Sequence, residues 1–176
     1  MSKPTTLKGR ALIIKDKNDQ PIDDIDTDMI FHNRHLHITE LSQMGIHAFG
    51  NLEGWKDFPN IVKQGDILIV GKNFGAGSSR QQAVDCFRAL GIVLIIGESF
   101  GAIYKRNTIN TGLPLLIVPN IMEEDLVTGD IIEVNLETGE IMNDTKKIHL
   151  TPGTPLSKVQ LDIYQAGSLF DYGKTL

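Results

Sequence analysis

Apolar positions along the chain fall into unbroken short runs and stripes at three-to-four spacing. Residues 8–14 end in a β-branched apolar run and meet the polar stretch Lys15-Asp-Lys-Asn-Asp-Gln-Pro21, which predicts a first strand followed by a reversal. Residues 66–70, apolar without a break after Asp66, and 92–96 are runs expected of strands covered on both faces. Between them Ala83, Cys86, Phe87 and Leu90 recur at i, i+3, i+4 and i+7, and Gly91 ends the stripe. That spacing predicts a helix beginning near Ser78. Residues 66–96 thus read as strand, loop, helix, strand, a unit whose natural topology is a right-handed βαβ crossover.

The flanking segments are less regular. Residues 22–28 are too acidic for a strand centre and are expected to form a surface loop. Leu41, Met44, Ala48 and Phe49, between Thr39 as N-cap and Gly50 as C′ residue, predict a short amphipathic helix. A second helix is expected over 98–107, presenting Phe100, Ile103 and Tyr104, then a strand over 115–118. Short strands at 130–134, 139–142 and 147–150, separated by turn residues, predict a hairpin-like C-terminal β layer. A closing helix over 157–166 and a frayed tail complete the chain. No repeat, low-complexity segment or linker divides it, so residues 1–176 are expected to form one α/β domain with a central βαβ unit and a C-terminal β layer.

Composition narrows the partners. Apolar residues make up 41% and charged residues 22%, values of an ordinary globular protein. Lys and Arg number 17 against 22 Asp and Glu, and no basic run occurs, which argues against nucleic acid. No apolar stretch is long enough to span a bilayer and the N-terminus lacks a secretory h-region, so a cytoplasmic protein is expected. The single cysteine, Cys86, excludes an intrachain disulfide and a cysteine-ligated metal cluster. Its place on the apolar helix face marks it as a buried small hydrophobe.

The chemistry concentrates in the loop Gly71-Lys-Asn-Phe-Gly75-Ala-Gly77-Ser78-Ser79-Arg80. Its glycines allow a sharp turn and close approach of a ligand to main-chain N–H groups. A helix start beyond it favours an anion, the serines add hydroxyls, and Arg80 adds a planar fork suited to a carboxylate or phosphate. Known phosphate loops do not fit: Lys72 is at the wrong end for a Walker A loop, and Arg80 stands where a dinucleotide fingerprint needs its third glycine. Neither serine lies in a nucleophile elbow. The structural alternative is a strand-to-helix turn with Ser78 as N-cap.

These residues carry a resemblance. Asn73-Phe-Gly-Ala-Gly-Ser-Ser-Arg80, followed by Gly97-Glu-Ser-Phe100, Ile103, Asn107 and Gly112-Leu-Pro114, resembles the small subunits of the 3-isopropylmalate dehydratase family of the aconitase superfamily. Asp26-Thr-Asp28-Met-Ile30 and Ala166-Gly-Ser-Leu-Phe-Asp-Tyr172 extend the match over nearly the whole chain. Ala76 departs from the Cys or Glu of many relatives, at a position that varies in the family. The resemblance implies a β/β/α swivelling domain capping the active site of a separate large subunit, which carries a [4Fe-4S] cluster; this chain is expected to bind no cofactor itself. It also implies interconversion of 2- and 3-isopropylmalate by dehydration and rehydration, a step of leucine biosynthesis. By position Ser78 would be the catalytic base, and Ser79 and Arg80, with the main chain at Gly75 and Gly77, would bind substrate carboxylate. Arg34, His35, Leu36 and His37 fall in the family's loop that reads the substrate's variable side chain. Apolar residues there accompany the isopropyl group and an arginine accompanies an added carboxylate; His37 is neither. Homoaconitate or another substituted malate is the alternative substrate, and a non-catalytic carboxylate- or phosphate-binding module the alternative from another class.

Asp24, Asp26 and Asp28 imitate the first ligands of a calcium loop, but Met29 and His35 stand where Gly and Glu are required. Asx turns, with Asp26 and Asp28 at a subunit interface or the cleft, are expected instead. His32, His35 and His37 lack the carboxylate and supporting pattern of a zinc site, so no metal is expected on the chain. His47 and His149 are read as structural, and Tyr104, Lys105 and Arg106 as a helix end that either lines the cleft or is simply solvated.

Overall fold

Ile67–Val70 is buried at all four positions, the signature of a strand with no polar face. The structure, a computed structural model, describes residues 2–176. Strands β1 (Thr6–Ile13), β2 (Ile67–Val70), β3 (Leu94–Gly97) and β4 (Leu115–Ile117) pair in parallel, with Leu12 opposite Leu68, Leu68 opposite Ile95 and Ile96 opposite Leu116. The other edge of β1 pairs antiparallel with β5 (Ile131–Asn135), which continues into β6 (Ile141–Asn143) and β7 (Ile148–Leu150). The C-terminal layer is therefore joined to the parallel strands in one mixed seven-stranded sheet, order β4-β3-β2-β1-β5-β6-β7.

The helices are α1 (Thr27–Ile30), α2 (Phe58–Ile61), α3 (Gln82–Ala89), α4 (Ala102–Asn110), α5 (Lys158–Ala166) and α6 (Leu169–Gly173). Because strand side chains alternate faces, the sheet divides its core in two. Leu12, Leu68, Val70 and Ile95 join an aromatic cluster of Phe49, Phe58, Phe74 and Phe87. Ala11, Ile67, Ile69, Leu94 and Ile96 join Ile132, Val134 and Leu150 on the opposite face. The Phe49 ring lies 4.8 Å from Phe58 and 5.1 Å from Phe87, in the range where tilted aromatic pairs attract. No helix among the described residues is long and apolar enough to cross a membrane.

The βαβ unit is present, but several elements differ from their sequence patterns. The helix expected over 39–50 is a pair of 3₁₀ turns, Leu41–Gln43 and Gly45–His47. A Cβ at Gly45 would lie 2.9 Å from Leu90, so that glycine lets α3 approach closely. Phe49, rather than Gly50, takes the left-handed conformation (φ 56°), driven by burial of its ring. Thr39 caps nothing; Glu40 occupies the N-cap, without a side-chain bond. Helix α3 starts at Gln82 and α4 at Ala102, each four residues later than expected. Phe100 thus precedes α4 and packs on Phe74, while Ile103 is exposed. The tail is not frayed: Ser168 accepts from the Asp171 N–H and caps α6. Helix α5 follows its pattern, opened by a capping box between Ser157 and Gln160.

Candidate active site

The glycine loop leaves the C-terminal end of β2, the end of a parallel sheet where ligands bind. Main-chain bonds hold it on both sides. Phe74 N donates to Ser99 O (3.1 Å) and Gly101 N to Phe74 O (2.9 Å); on the other side Gly75 N donates to Ile25 O (2.7 Å) and Thr27 N to Ala76 O (2.9 Å). The acidic 22–28 segment is therefore not a free surface loop, since Ile25 and Thr27 are buried and its backbone lies along the glycine loop. Gly75 has φ 81°, and a Cβ there would sit 2.1 Å from the Tyr104 ring, so no other residue fits without displacing α4. Tyr104 itself is buried and donates to Ala83 O at 2.9 Å, a structural role beneath the loop.

Beyond Gly77 (φ 99°) the chain is irregular until Gln82, so Ser78 is not the cap of α3; Gln81 occupies that position, with no side-chain bond. The helix end does not reach Ser78, and a different set of donors surrounds it. The backbone N–H groups of Gly77, Ser78, Ser79 and Arg80 find no acceptor among the described residues. Such a run of free N–H groups suits an anion. Thr27 Oγ1 donates to Ser78 O at 2.9 Å and Asn107 Nδ2 to Ser79 Oγ at 3.0 Å, fixing the two serines between α1 and α4. Both serines are exposed.

Arg80 organises the site. Its Nη1 donates to Asp28 Oδ1 (3.1 Å) and Phe31 O (2.8 Å), and its Nη2 lies 3.4 Å from Ser78 Oγ. Its Nε is buried with no partner, the one such side-chain atom among the described residues. A buried donor without an acceptor is costly, so the Nε–Nη2 edge of the fork is poised for a carboxylate. Asp28 is held below the ordinary carboxylate range, first by the Asn33 N–H and then by Arg80 and the nearby His32. It also accepts from Asn51 Nδ2 at 3.1 Å. Asp26 caps α1 through Met29 N (2.8 Å), and Asp24 accepts from Asn73 Nδ2 (2.9 Å). The three aspartates serve three different partners rather than one cation.

The histidine loop abuts this site. Asn33–His35 forms a 3₁₀ turn started by His32 Nδ1, which accepts from Arg34 N at 3.0 Å. Leu36 packs against the core while Arg34 and His37 are exposed. The His35 and His47 rings stack with centroids 3.8 Å apart, so His47 supports the loop. Burial, then surrounding positive charge from Arg34 and neighbouring histidines, holds both rings below the ordinary imidazole range. The neutral rings suit the fold and the unfolded chain binds the extra protons. Stability is therefore full above about pH 6.5 and declines as pH falls toward the lowered native values. His47→Phe, which keeps a ring without a titrating nitrogen, is expected to flatten the fall of the thermal midpoint between pH 7.5 and 5.5 relative to the unsubstituted chain.

The sequence patterns missed the Asp28–Arg80 pair, the Asn107 support of Ser79 and the contact between α3 and the histidine loop through Gln82. Each joins residues far apart in the chain, and only the resemblance, which includes Asn107, pointed toward any of them.

Three comparisons bear on this geometry. The family model "Aconitase C-terminal domain" matches residues 55–120. The chain is 39% identical over 152 residues to the 3-isopropylmalate dehydratase small subunit of Metallosphaera sedula, covering 86% of this chain and 91% of that one. It is 38% identical over 168 residues to the small subunit of the same name from Pyrobaculum aerophilum, covering 96% and 97%. It is 42% identical over 150 residues to the isopropylmalate/citramalate isomerase small subunit of Methanocaldococcus jannaschii, covering 85% and 87%. A crystal structure of 3-isopropylmalate dehydratase from Methanocaldococcus jannaschii superposes with a TM-score of 0.83 at 34% identity, covering 97% of this chain and 94% of that one.

Proposed function

Since the chain belongs to the family of 3-isopropylmalate dehydratase small subunits, hydro-lyase components with the aconitase C-terminal swivel fold, we propose that it works with a large subunit to interconvert 2- and 3-isopropylmalate. Membership in a hydro-lyase family sets aside the free-standing anion-binding module. The observation that carries the reading is Arg80: gripped by Asp28 and the Phe31 carbonyl through Nη1, it keeps a buried, unpartnered Nε and sets Nη2 3.4 Å from Ser78 Oγ.

In this reading a carboxylate of the malate skeleton takes the Nε–Nη2 edge of Arg80 and the Ser79 hydroxyl. The free N–H groups of Gly77 and its neighbours complete the anion site, and Gly75 keeps the loop backbone close. Ser78 Oγ, as the alkoxide, takes the proton from one substrate carbon and becomes the hydroxyl; the C–H electron pair forms the double bond as the C–O bond on the neighbouring carbon breaks and its oxygen leaves as hydroxide, and rehydration returns the proton and the hydroxide to the exchanged carbons. Arg80 Nη2 at 3.4 Å and the surrounding N–H groups stabilise the negative oxygen that a serine base requires.

The chain's donors do not suit an iron–sulfur cluster. Cys86 is its single cysteine, wholly buried, with its thiol pushed well up by burial. Among the described residues no three His, Cys, Asp or Glu side chains are grouped to hold a metal ion. A [4Fe-4S] cluster, which the family resemblance implies, would be held by the large subunit, whose cleft the exposed rim of Ser78, Ser79 and Arg34–His37 would cover.

The test is turnover by the chain reconstituted with a cluster-loaded large subunit, assayed on isopropylmalate, citramalate and homoaconitate; citramalate is included because it appears in the name of the Methanocaldococcus relative. Isopropylmalate is expected to be preferred, and preference for another member would reassign the substrate. His37 supplies the second arm. Its exchange for leucine should raise kcat/KM for the alkyl-bearing substrate relative to homoaconitate, and its exchange for arginine should do the reverse. A single side-chain contact of this kind changes the ratio about 10- to 100-fold.

A further inference from the structure

Gln82, the first residue of α3, lies two positions beyond Arg80 and takes no part in the carboxylate or proton chemistry above. Its side chain crosses to the histidine loop, where Nε2 donates to Leu36 O at 3.1 Å and to Ile38 O at 3.3 Å. A carboxamide nitrogen carries two protons, so one group meets both acceptors. Leu36 and Ile38 also pack their side chains against the core beneath the loop, whereas His37 between them is exposed. Two apolar anchors and two carbonyl bonds thus fix the backbone around His37 and leave its side chain free.

The geometry points to Gln82 as a positioning residue for substrate specificity: its amide clamps the carbonyls on either side of His37 and holds that residue at a set offset from Arg80. The inference rests on the reading that this loop faces the variable tail of a malate held by Arg80. The clamp has a mechanical basis. Gln82 and Arg80 belong to one short stretch of backbone, and Arg80 Nη1 also bonds Phe31 O at the start of the same loop. The carboxylate grip and the tail-reading segment are therefore tied together at both ends of the loop. A substrate with a short tail engages only the grip, while a branched tail depends on the loop being in place.

In the reconstituted complex, Gln82→Met, similar in length but without a donor, is expected to lower kcat/KM for isopropylmalate by about 5- to 30-fold, mainly through KM. Turnover of citramalate, whose methyl tail is shorter than the isopropyl group, should stay within about two-fold of the unsubstituted complex. The effects of Gln82→Met and His37→Ala should combine to less than their product, because both act through one segment. Gln82→Glu, which offers the carbonyls no donor, is expected to give the same pattern and serves where the methionine variant assembles poorly. On the free chain, amide exchange over 36–39 should quicken in either variant. An active complex in which both variants keep the substrate ratio, or lower both substrates equally, would overturn the clamp. Absence of turnover on every malate by the unsubstituted complex would overturn the functional reading beneath it, and unchanged amide exchange would remove the clamp whatever the substrate.

Discussion

Ser78→Ala is expected to lower kcat of the cluster-loaded complex by about 10²- to 10⁴-fold, the range for losing a positioned general base. The structure separates this from a structural role more cleanly than the sequence allows. Were Ser78 the N-cap of α3, its removal would cost about 1 kcal/mol of stability. But α3 begins at Gln82, and Ser78 is exposed; its hydroxyl meets only Arg80 Nη2 at 3.4 Å. The stability change should accordingly stay within about 0.5 kcal/mol, as for a surface substitution. KM should change little, because in the proposed function carboxylate binding falls to Arg80 and Ser79. The measurements are kcat and KM with subunit association and cluster content held equal, together with denaturant unfolding of the free chain. A kcat within a few-fold of the unsubstituted complex would mean that another group takes the proton.

That the sequence misplaced the start of α3 by four residues has a physical reason. The apolar stripe that signals the helix begins at Ala83, and nothing upstream distinguishes a capped helix from a loop in Gly-Ser-Ser-Arg-Gln-Gln. The decision falls to tertiary contacts. Gly77 takes a positive φ, and the Arg80 guanidinium is drawn to Asp28 and the Phe31 carbonyl. The same holds for residues 39–50, where apolar spacing alone predicts an α-helix. The fit of Gly45 against Leu90 and the burial of Phe49 impose 3₁₀ turns and a left-handed residue instead.

The βαβ unit was legible because each part carries its own local signal: two unbroken apolar runs, a helical stripe and terminating glycines. Helix α5 was legible for the same reason, from Leu156, Val159, Ile163 and Leu169 with polar residues between them. The candidate site was legible as a list of residues and not as an arrangement. Asp28 and Arg80 are separated by 52 positions and Gln82 and Leu36 by 46, distances over which periodicity says nothing. What brings them together is the bonding of the 24–27 and 99–101 segments to either side of the glycine loop. An acidic stretch that reads as a solvated loop thereby becomes one wall of the site.

Arg80→Lys is the second large effect, expected to reduce kcat/KM by about 10²- to 10³-fold although the charge is kept. The guanidinium combines three features: Nη1 holds Asp28 and the Phe31 carbonyl, Nη2 lies beside Ser78 Oγ, and Nε has no partner, so that the proposed function gives it to the ligand. A lysine ammonium is a single point with three donors and no fixed plane. Drawn to Asp28, it leaves the substrate carboxylate with no partner in the former Nε–Nη2 position. Drawn to the substrate, it abandons Asp28 and the carbonyl that tie the glycine loop to the histidine loop. Either way KM rises, and kcat falls with it because no guanidinium Nη2 remains fixed beside Ser78 Oγ. Asp28→Asn tests the same arrangement from the other side. With its partner weakened but its fork intact, Arg80 should still bind substrate, and kcat/KM should fall less than in Arg80→Lys. Equal losses in the two variants would show that the Asp28 contact, and not the geometry of the fork, carries the effect.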